Sequence, residues 1–232
     1  MKTTCRKIVG FWHYGVILTY LSVASAIAGI CLSVAISPFW GVVCLLISGL
    51  CDAFDGAVAK SRKNRTEEEK MFGSHIDSLS DLISFGIAPV MIGFGLGMQE
   101  WYYIILFALF ALCALVRLAY FDVTEELMIK AGQKRTSFEG LPVTNVAVAI
   151  PIFFLVATMF QESSPLAMEL IMAGGYLLLA ILFVVRFRMP KAGVRGLLIA
   201  IAIVGAIVVA LSLIRTYVVE VPFVSPLAYR KA

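Results

Sequence analysis

The stretch CDAFDGAVAKSRKNRTEEEKMFGSHIDSLSDLISFG, residues 51–86, decides how the whole chain is read, because it sets Asp52, Asp55, Asp77 and Asp81 beside long apolar runs. Around it, hydrophobic residues fill 61% of the 232 positions and charged residues only 15%, with a mean hydropathy of +0.95. That composition excludes an ordinary soluble domain. Runs long enough to cross a hydrocarbon core of about 30 Å stand at 14–36, 39–60, 76–98, 101–121, 142–160, 167–187 and 194–216. The expected fold is all-α, a polytopic transmembrane helical bundle. With no internal repeat and no low-complexity linker, residues 1–232 are expected to form a single integral membrane domain.

The first run follows a short basic N-terminus and lacks a small-residue cleavage site, so it is expected to stay as a helix and not to be removed as a signal peptide. Lys and Arg in short loops remain on the cytoplasmic side. An inside N-terminus collects 16 of the 19 basic residues on that side and leaves the outer loops without any. The expected placement is a multi-pass protein of the cell membrane with residues 60–70 facing the cytoplasm. Cys5, Cys31, Cys44, Cys51 and Cys113 fall mostly within spans, where a small apolar role is expected and a disulfide framework is not. The net charge of +4 comes from loops suited to anionic head groups, and no aromatic and basic interleaving suggests nucleic acid.

Helical spacing puts Asp52 and Asp55 on one face of the second span, and Asp77 and Asp81 on one face of the third. Between them lies a polar, basic turn, and Thr66 with Glu69 forms a capping box that starts the third helix ahead of the membrane. In an antiparallel hairpin, residues equidistant from the turn come to similar depth. Asp55 and Asp77 are centred on position 66, and Asp52 and Asp81 on a point half a residue further, so two facing pairs are predicted. A solvated helix end explains one or two such acids but not four at matched depth. Uncompensated charge there costs several kcal/mol, and hard divalent cations are the natural remedy. All-oxygen ligation favours Mg2+ or Mn2+, and four carboxylates suffice for two ions that also grip a phosphate. Gly56 and Gly73 leave room for a bulky ligand, or simply allow close helix packing.

These residues resemble the CDP-alcohol phosphatidyltransferase family, whose motif D-x2-D-G-x2-A-R-x8-G-x3-D-x3-D stands here as Asp52, Asp55, Gly56, Ala59, Lys60, Gly73, Asp77 and Asp81. Lys60 replaces the motif arginine, as a point charge without a bidentate fork. Twelve residues instead of eight separate it from Gly73, an insertion of about one helical turn. HIDSLSDLISFGIAPV, RLAYFDVTEE and FEGLPVTN further resemble stretches of bacterial-type phosphatidylserine synthases, although Tyr120, Phe121 and Asp122 stand where those proteins often read R-F-N.

The resemblance implies a six-helix core plus the seventh span, a homodimer, and transfer of a phosphatidyl group from CDP-diacylglycerol to L-serine with release of CMP. It assigns metal ligation to Asp52, Asp55 and Asp77. Asp81 becomes the catalytic base toward the acceptor hydroxyl, with a share in the second metal. Asp52, Gly56, Ala59, Lys60 and Gly73 would meet the CDP-lipid. Serine also brings a carboxylate. Arg117, near the inner end of the fourth span, either answers it or extends to the interface. In GLPVTN, Pro142 at a first helical position would direct free N–H groups to the same level, with Asn145 one turn in. Lys134 and Arg135 are read as orientation signals or recruits for a phosphorylated acceptor, and His75 as a helix-surface residue. Two alternatives stay open: a sister enzyme using glycerol 3-phosphate or an inositol phosphate, and a cation transporter. The apolar outer halves of the second and third spans disfavour the transporter.

Overall fold

Long apolar runs in a bilayer must satisfy their backbone internally, which segments of this length do as helices, and the architecture follows from that constraint. The computed structural model describes the backbone of residues 10, 12, 16–61, 66–131, 138–160, 164–189, 196, 199, 201–207, 209 and 210. Side chains are described for these positions except 56, 57, 59–61, 129, 130, 138, 139, 188 and 189. The order is α1 (Ile17–Ala35), α2 (Pro38–Ser61), α3 (Glu67–Asp81), a π-helical turn (Leu82–Ile87), α4 (Ala88–Gly95), α5 (Trp101–Lys130), β1 (Phe138–Glu139), a 3₁₀ turn (Val143–Asn145), α6 (Val146–Thr158), α7 (Pro165–Val184) and β2 (Arg188–Met189). Apart from one two-residue antiparallel pairing of β1 with β2, the described fold is a helical bundle.

Among the described residues, five helical stretches are long and apolar enough to cross a membrane: Ile17–Ala35, Pro38–Asp55, Glu67–Gly95, Trp101–Met128 and Pro165–Val184. The chain is accordingly a multi-pass membrane protein. The expected fifth span is a shorter apolar helix, Val143–Thr158, and most of the expected seventh lies outside the described residues, although 201–207 are helical. The fourth helix runs on to Lys130, past the expected boundary at 121, because TEELMIK carries strong helix formers. Large side chains such as Leu21, Ile27, Ile105, Leu112 and Leu177 stand exposed around the bundle, as lipid-facing positions should.

Small residues draw the first helices together. Thr19, Ser22, Ala26, Gly29 and Ser33 form the buried stripe of α1. A Cβ at Gly29 would come within 2.8 Å of the Cys44 Cβ, and one at Gly41 would collide with Ser33 Oγ. Association of helices in lipid relies on such contact, supplemented by hydroxyl hydrogen bonds. Ser48 Oγ donates to the Ser22 carbonyl at 3.0 Å, Ser22 Oγ donates back to the Ser48 carbonyl at 3.3 Å, and Ser22 meets Ser84 at 3.2 Å. Larger side chains fill the other side, where Phe85, Ile92, Phe107, Phe110, Phe154, Tyr176 and Phe183 join α4 to α7 in one buried core. Tyr176 lends its hydroxyl to the Pro89 carbonyl at 2.5 Å.

Candidate active site

The capping box predicted from Thr66 and Glu69 is present. Thr66 Oγ1 accepts from the Glu69 N–H at 3.2 Å, and Glu69 Oε2 accepts from the Thr66 N–H at 3.1 Å. It starts α3 ten residues before Asp77, so that the helix reaches the level of α2's acidic face already formed. Three carboxylates, those of Asp52, Asp55 and Asp77, each offer an oxygen within 4.8 Å of the others. Asp81 joins them through Asp52. The carboxyl groups of Asp52 and Asp81 lie within hydrogen-bonding reach of each other, and so do those of Asp55 and Asp77. These are the two facing pairs that symmetry about the turn predicts. Asp55 is buried and the other three are half-buried.

Carboxylates this close cannot all remain ionised without a counter-charge. The donor set is all oxygen and its spacing suits a small hard cation bridging α2 and α3, so the residues present fit a divalent metal. The cluster can bind such an ion.

Several neighbours could not be read from sequence. Thr19 Oγ1, on the buried face of α1, donates to Asp55 Oδ2 at 3.3 Å, and Ser80 Oγ donates to the Thr19 carbonyl at 3.4 Å. A lone threonine on an apolar helix carries no signal that would single it out. From α5, Asp122 and Glu125 approach Asp77, and Ser78 Oγ donates to Asp122 Oδ1 at 2.6 Å. The only sequence hint was the position of Asp122 within the departure from R-F-N. Directly after Asp81 the helix widens into the π-helical turn, with the Ala88 N–H reaching back to the Ile83 carbonyl. Pro89 has no N–H to continue the ordinary pattern, which favours a local change of register there.

Gly73 lies half-buried on α3, one turn before Asp77. Gly56, Ala59 and Lys60 continue α2, and their side chains lie outside those described, as do Lys134 and Arg135 altogether. His75 is exposed, its Nε2 3.9 Å from Glu126 Oε1, in keeping with a helix-surface residue. The described cysteines, Cys31, Cys44, Cys51 and Cys113, are free.

Arg117 does not extend to an interface. It is 5% exposed, its guanidinium 5.9 Å from the Phe121 ring centroid and packed under Gly140. Between Arg117 and Asp122 the helix rises about 7.5 Å, so one end of α5 serves both the acidic cluster and this buried cation. Asn145 closes the 3₁₀ turn and is half-buried. Pro142 stands at the N-cap of that turn and not at a first helical position, because its ψ of 140° keeps it extended. The regular helix begins only at Val146, which weakens the case for an anion site on its free N–H groups.

Residues 12–208 match the family model described as CDP-alcohol phosphatidyltransferase. A CDP-diacylglycerol--serine O-phosphatidyltransferase of Saccharomyces cerevisiae is 39% identical over 115 residues, 48% of this chain and 40% of its own length. An archaetidylserine synthase of Methanothermobacter thermautotrophicus is 35% identical over 151 residues, 65% of this chain and 61% of its own. A CDP-diacylglycerol--serine O-phosphatidyltransferase of Helicobacter pylori is 30% identical over 159 residues, 66% and 60%. The chain thus spans between 40% and 61% of the length of these curated relatives.

Proposed function

The chain belongs to the CDP-alcohol phosphatidyltransferase family, and from that premise we propose that it transfers the phosphatidyl group of CDP-diacylglycerol to L-serine, giving phosphatidylserine and CMP. The observation that carries the reading is the meeting of four carboxyl groups across the α2–α3 hairpin, three of them with oxygens within 4.8 Å. Serine as acceptor is supported by the names of the relatives, which have serine in common.

Asp52, Asp55, Asp77 and Asp81 would hold two divalent ions, Mg2+ or Mn2+, whose chemistry is to neutralise the pyrophosphate of the CDP-lipid and the charge that grows on it during transfer. Everything else falls to the chain. Gly56, Ala59 and Gly73 leave space for the nucleotide and Lys60 offers a charge to its phosphates. Asp81 accepts the proton of the serine hydroxyl. The serine oxygen bonds to the lipid-side phosphorus as the bond from that phosphorus to the bridging oxygen breaks, and the electron pair leaves with CMP. Arg117 takes the serine carboxylate, with Asn145 as a second polar contact. Positioning supplies much of such a transfer, and a buried guanidinium on a rigid helix suits that task.

The site is proposed to face the cytoplasm, with an inside N-terminus, in a cell-membrane protein that works as a homodimer and folds as one domain over residues 1–232. A cysteine placed at Ser61 should be reached by impermeant reagent only from the cytoplasmic side; labelling only from outside would invert the topology. The activity is tested by CMP release from CDP-diacylglycerol with purified protein given serine, glycerol 3-phosphate or an inositol phosphate in parallel. Serine should be the acceptor used, and preference for glycerol 3-phosphate would refute it.

A further inference from the structure

We infer that Gly140 is a positioning residue for Arg117, and that the β1–β2 pairing is the clasp holding it there; this rests on the reading that Arg117 takes the acceptor carboxylate. Three observations converge on the position. The Gly140 backbone sits at φ +78°, a left-handed conformation that side-chain-bearing residues rarely adopt. Its N–H donates to the Phe187 carbonyl at 2.6 Å, continuing the pairing of Phe138 with Met189 and of Glu139 with Arg188. A Cβ built on it would lie 2.9 Å from the Val185 carbonyl oxygen, 3.1 Å from Arg117 Nη1 and 3.3 Å from Arg117 Cζ. The glycine is therefore the surface against which the guanidinium rests.

Phe121, one turn along α5, also lies beside that guanidinium, its ring centroid 5.9 Å from Arg117 Cζ. Arg117 thus has for neighbours a ring on its own helix and the Gly140 backbone, which is itself tied to the segment after α7. A side chain at 140 would crowd both the Val185 carbonyl oxygen, at 2.9 Å, and the guanidinium, at 3.1 Å. The Gly140–Phe187 hydrogen bond ties the two crowded segments together, so relief at the carbonyl shifts the wall of the guanidinium and the guanidinium with it. A displaced fork costs bidentate geometry toward a planar carboxylate while leaving the charge in place. The acceptor site should suffer, and the CDP-lipid site should not.

The experiment is a double-mutant cycle on the full chain in lipid, with KM for serine, KM for CDP-diacylglycerol and kcat measured for wild type, Gly140→Ala, Gly140→Asn, Arg117→Ala and the doubles. Gly140→Ala is expected to raise the serine KM roughly 5-fold with the other constants near wild type, since small misplacements of positioning groups are felt strongly. Gly140→Asn tolerates the left-handed backbone but still adds a Cβ, and should behave alike. Should the alanine variant fail to accumulate, the asparagine variant carries the same readout. In the Arg117→Ala background neither change should raise the serine KM further. Equal factors in both backgrounds, a parallel rise in both KM values, or a wild-type Gly140→Asn would each overturn the assignment. A normal serine KM in Arg117→Ala alone would instead remove the carboxylate reading on which it rests.

Discussion

The α2–α3 hairpin and the β1–β2 clasp hold opposite charges by opposite means. The hairpin gathers four acids from two helices adjacent in sequence, each placed by helical spacing, and it brings their carboxyl groups within hydrogen-bonding reach in pairs. The clasp holds one cation, Arg117, with backbone from both ends of the α6–α7 pair and a glycine in a conformation of its own. A region that must balance concentrated negative charge by binding something can be built locally. One that must aim a single fork needs walls on several sides, and those walls come from far apart in the chain. The two regions should accordingly fail differently when altered.

The largest effects belong to the hairpin. Asp81→Asn should lower kcat by about 10³-fold, within the range ascribed to a positioned general base, with CDP-lipid binding largely spared. Asp55→Asn should weaken both binding and turnover, since Asp55 sits in the trio spaced for a cation. Equal loss of CDP-lipid binding in the two variants would erase the distinction between base and ligand. A chelator should abolish turnover, and added Mg2+ or Mn2+ should restore it. Full activity in metal-free buffer would break the reading of the hairpin outright.

The next effect separates the regions. Arg117→Ala is expected to raise the serine KM by roughly 10- to 100-fold, the worth of a charge-assisted hydrogen bond, with the CDP-diacylglycerol KM little changed. An unchanged serine KM would clear Arg117 of the carboxylate role and leave the clasp a purely structural device.

This contrast also explains what the sequence makes legible. Asp52, Asp55, Asp77 and Asp81 could be paired on paper because helix periodicity and one short turn suffice to relate them, and Thr66 with Glu69 marks where the second arm begins. Gly140, Val185 and Phe187 could not, because their meeting depends on how α6 and α7 return the chain, and no local pattern encodes it. The π-helical turn after Asp81 was hidden for another reason: Pro89 announces a disturbance, but whether the helix kinks, breaks or widens is settled by packing around Phe85 and Tyr176. The extent of the fifth span shows the same limit, since apolar composition alone does not tell a 3₁₀ entry from the first turn of a helix.

Asp122 belongs to α5, which serves both regions, and so sharpens the boundary between them. Its carboxylate accepts from Ser78 beside Asp77 and adds negative potential there. Asp122→Asn should raise the metal concentration for half-maximal activity by roughly 5-fold at low ionic strength and by less at high salt, because a charge at this range is partly screened. A change in serine KM with no change in metal requirement would move Asp122 to the clasp side of the comparison.

The smallest expected effect tests how far the hairpin's polar support reaches into α1. Thr19 Oγ1 donates to Asp55 Oδ2 at 3.3 Å, a long bond between neighbouring helices, while the Thr19 carbonyl accepts from Ser80. Thr19→Val keeps the shape and the carbonyl and removes only the hydroxyl donor. Interhelical hydrogen bonds in membranes average about 0.6 kcal/mol, which corresponds to roughly 3-fold in an equilibrium constant, so the metal requirement should rise by about that factor. Ser80→Ala removes a hydroxyl that touches backbone and no carboxylate, and should leave the metal requirement unmoved even if it loosens α1 against α3. Thr19→Ser should behave as wild type. If Thr19→Val and Ser80→Ala shift the metal requirement equally, the hydroxyl of Thr19 is ordinary helix glue, and support of the acidic cluster stops at α2 and α3.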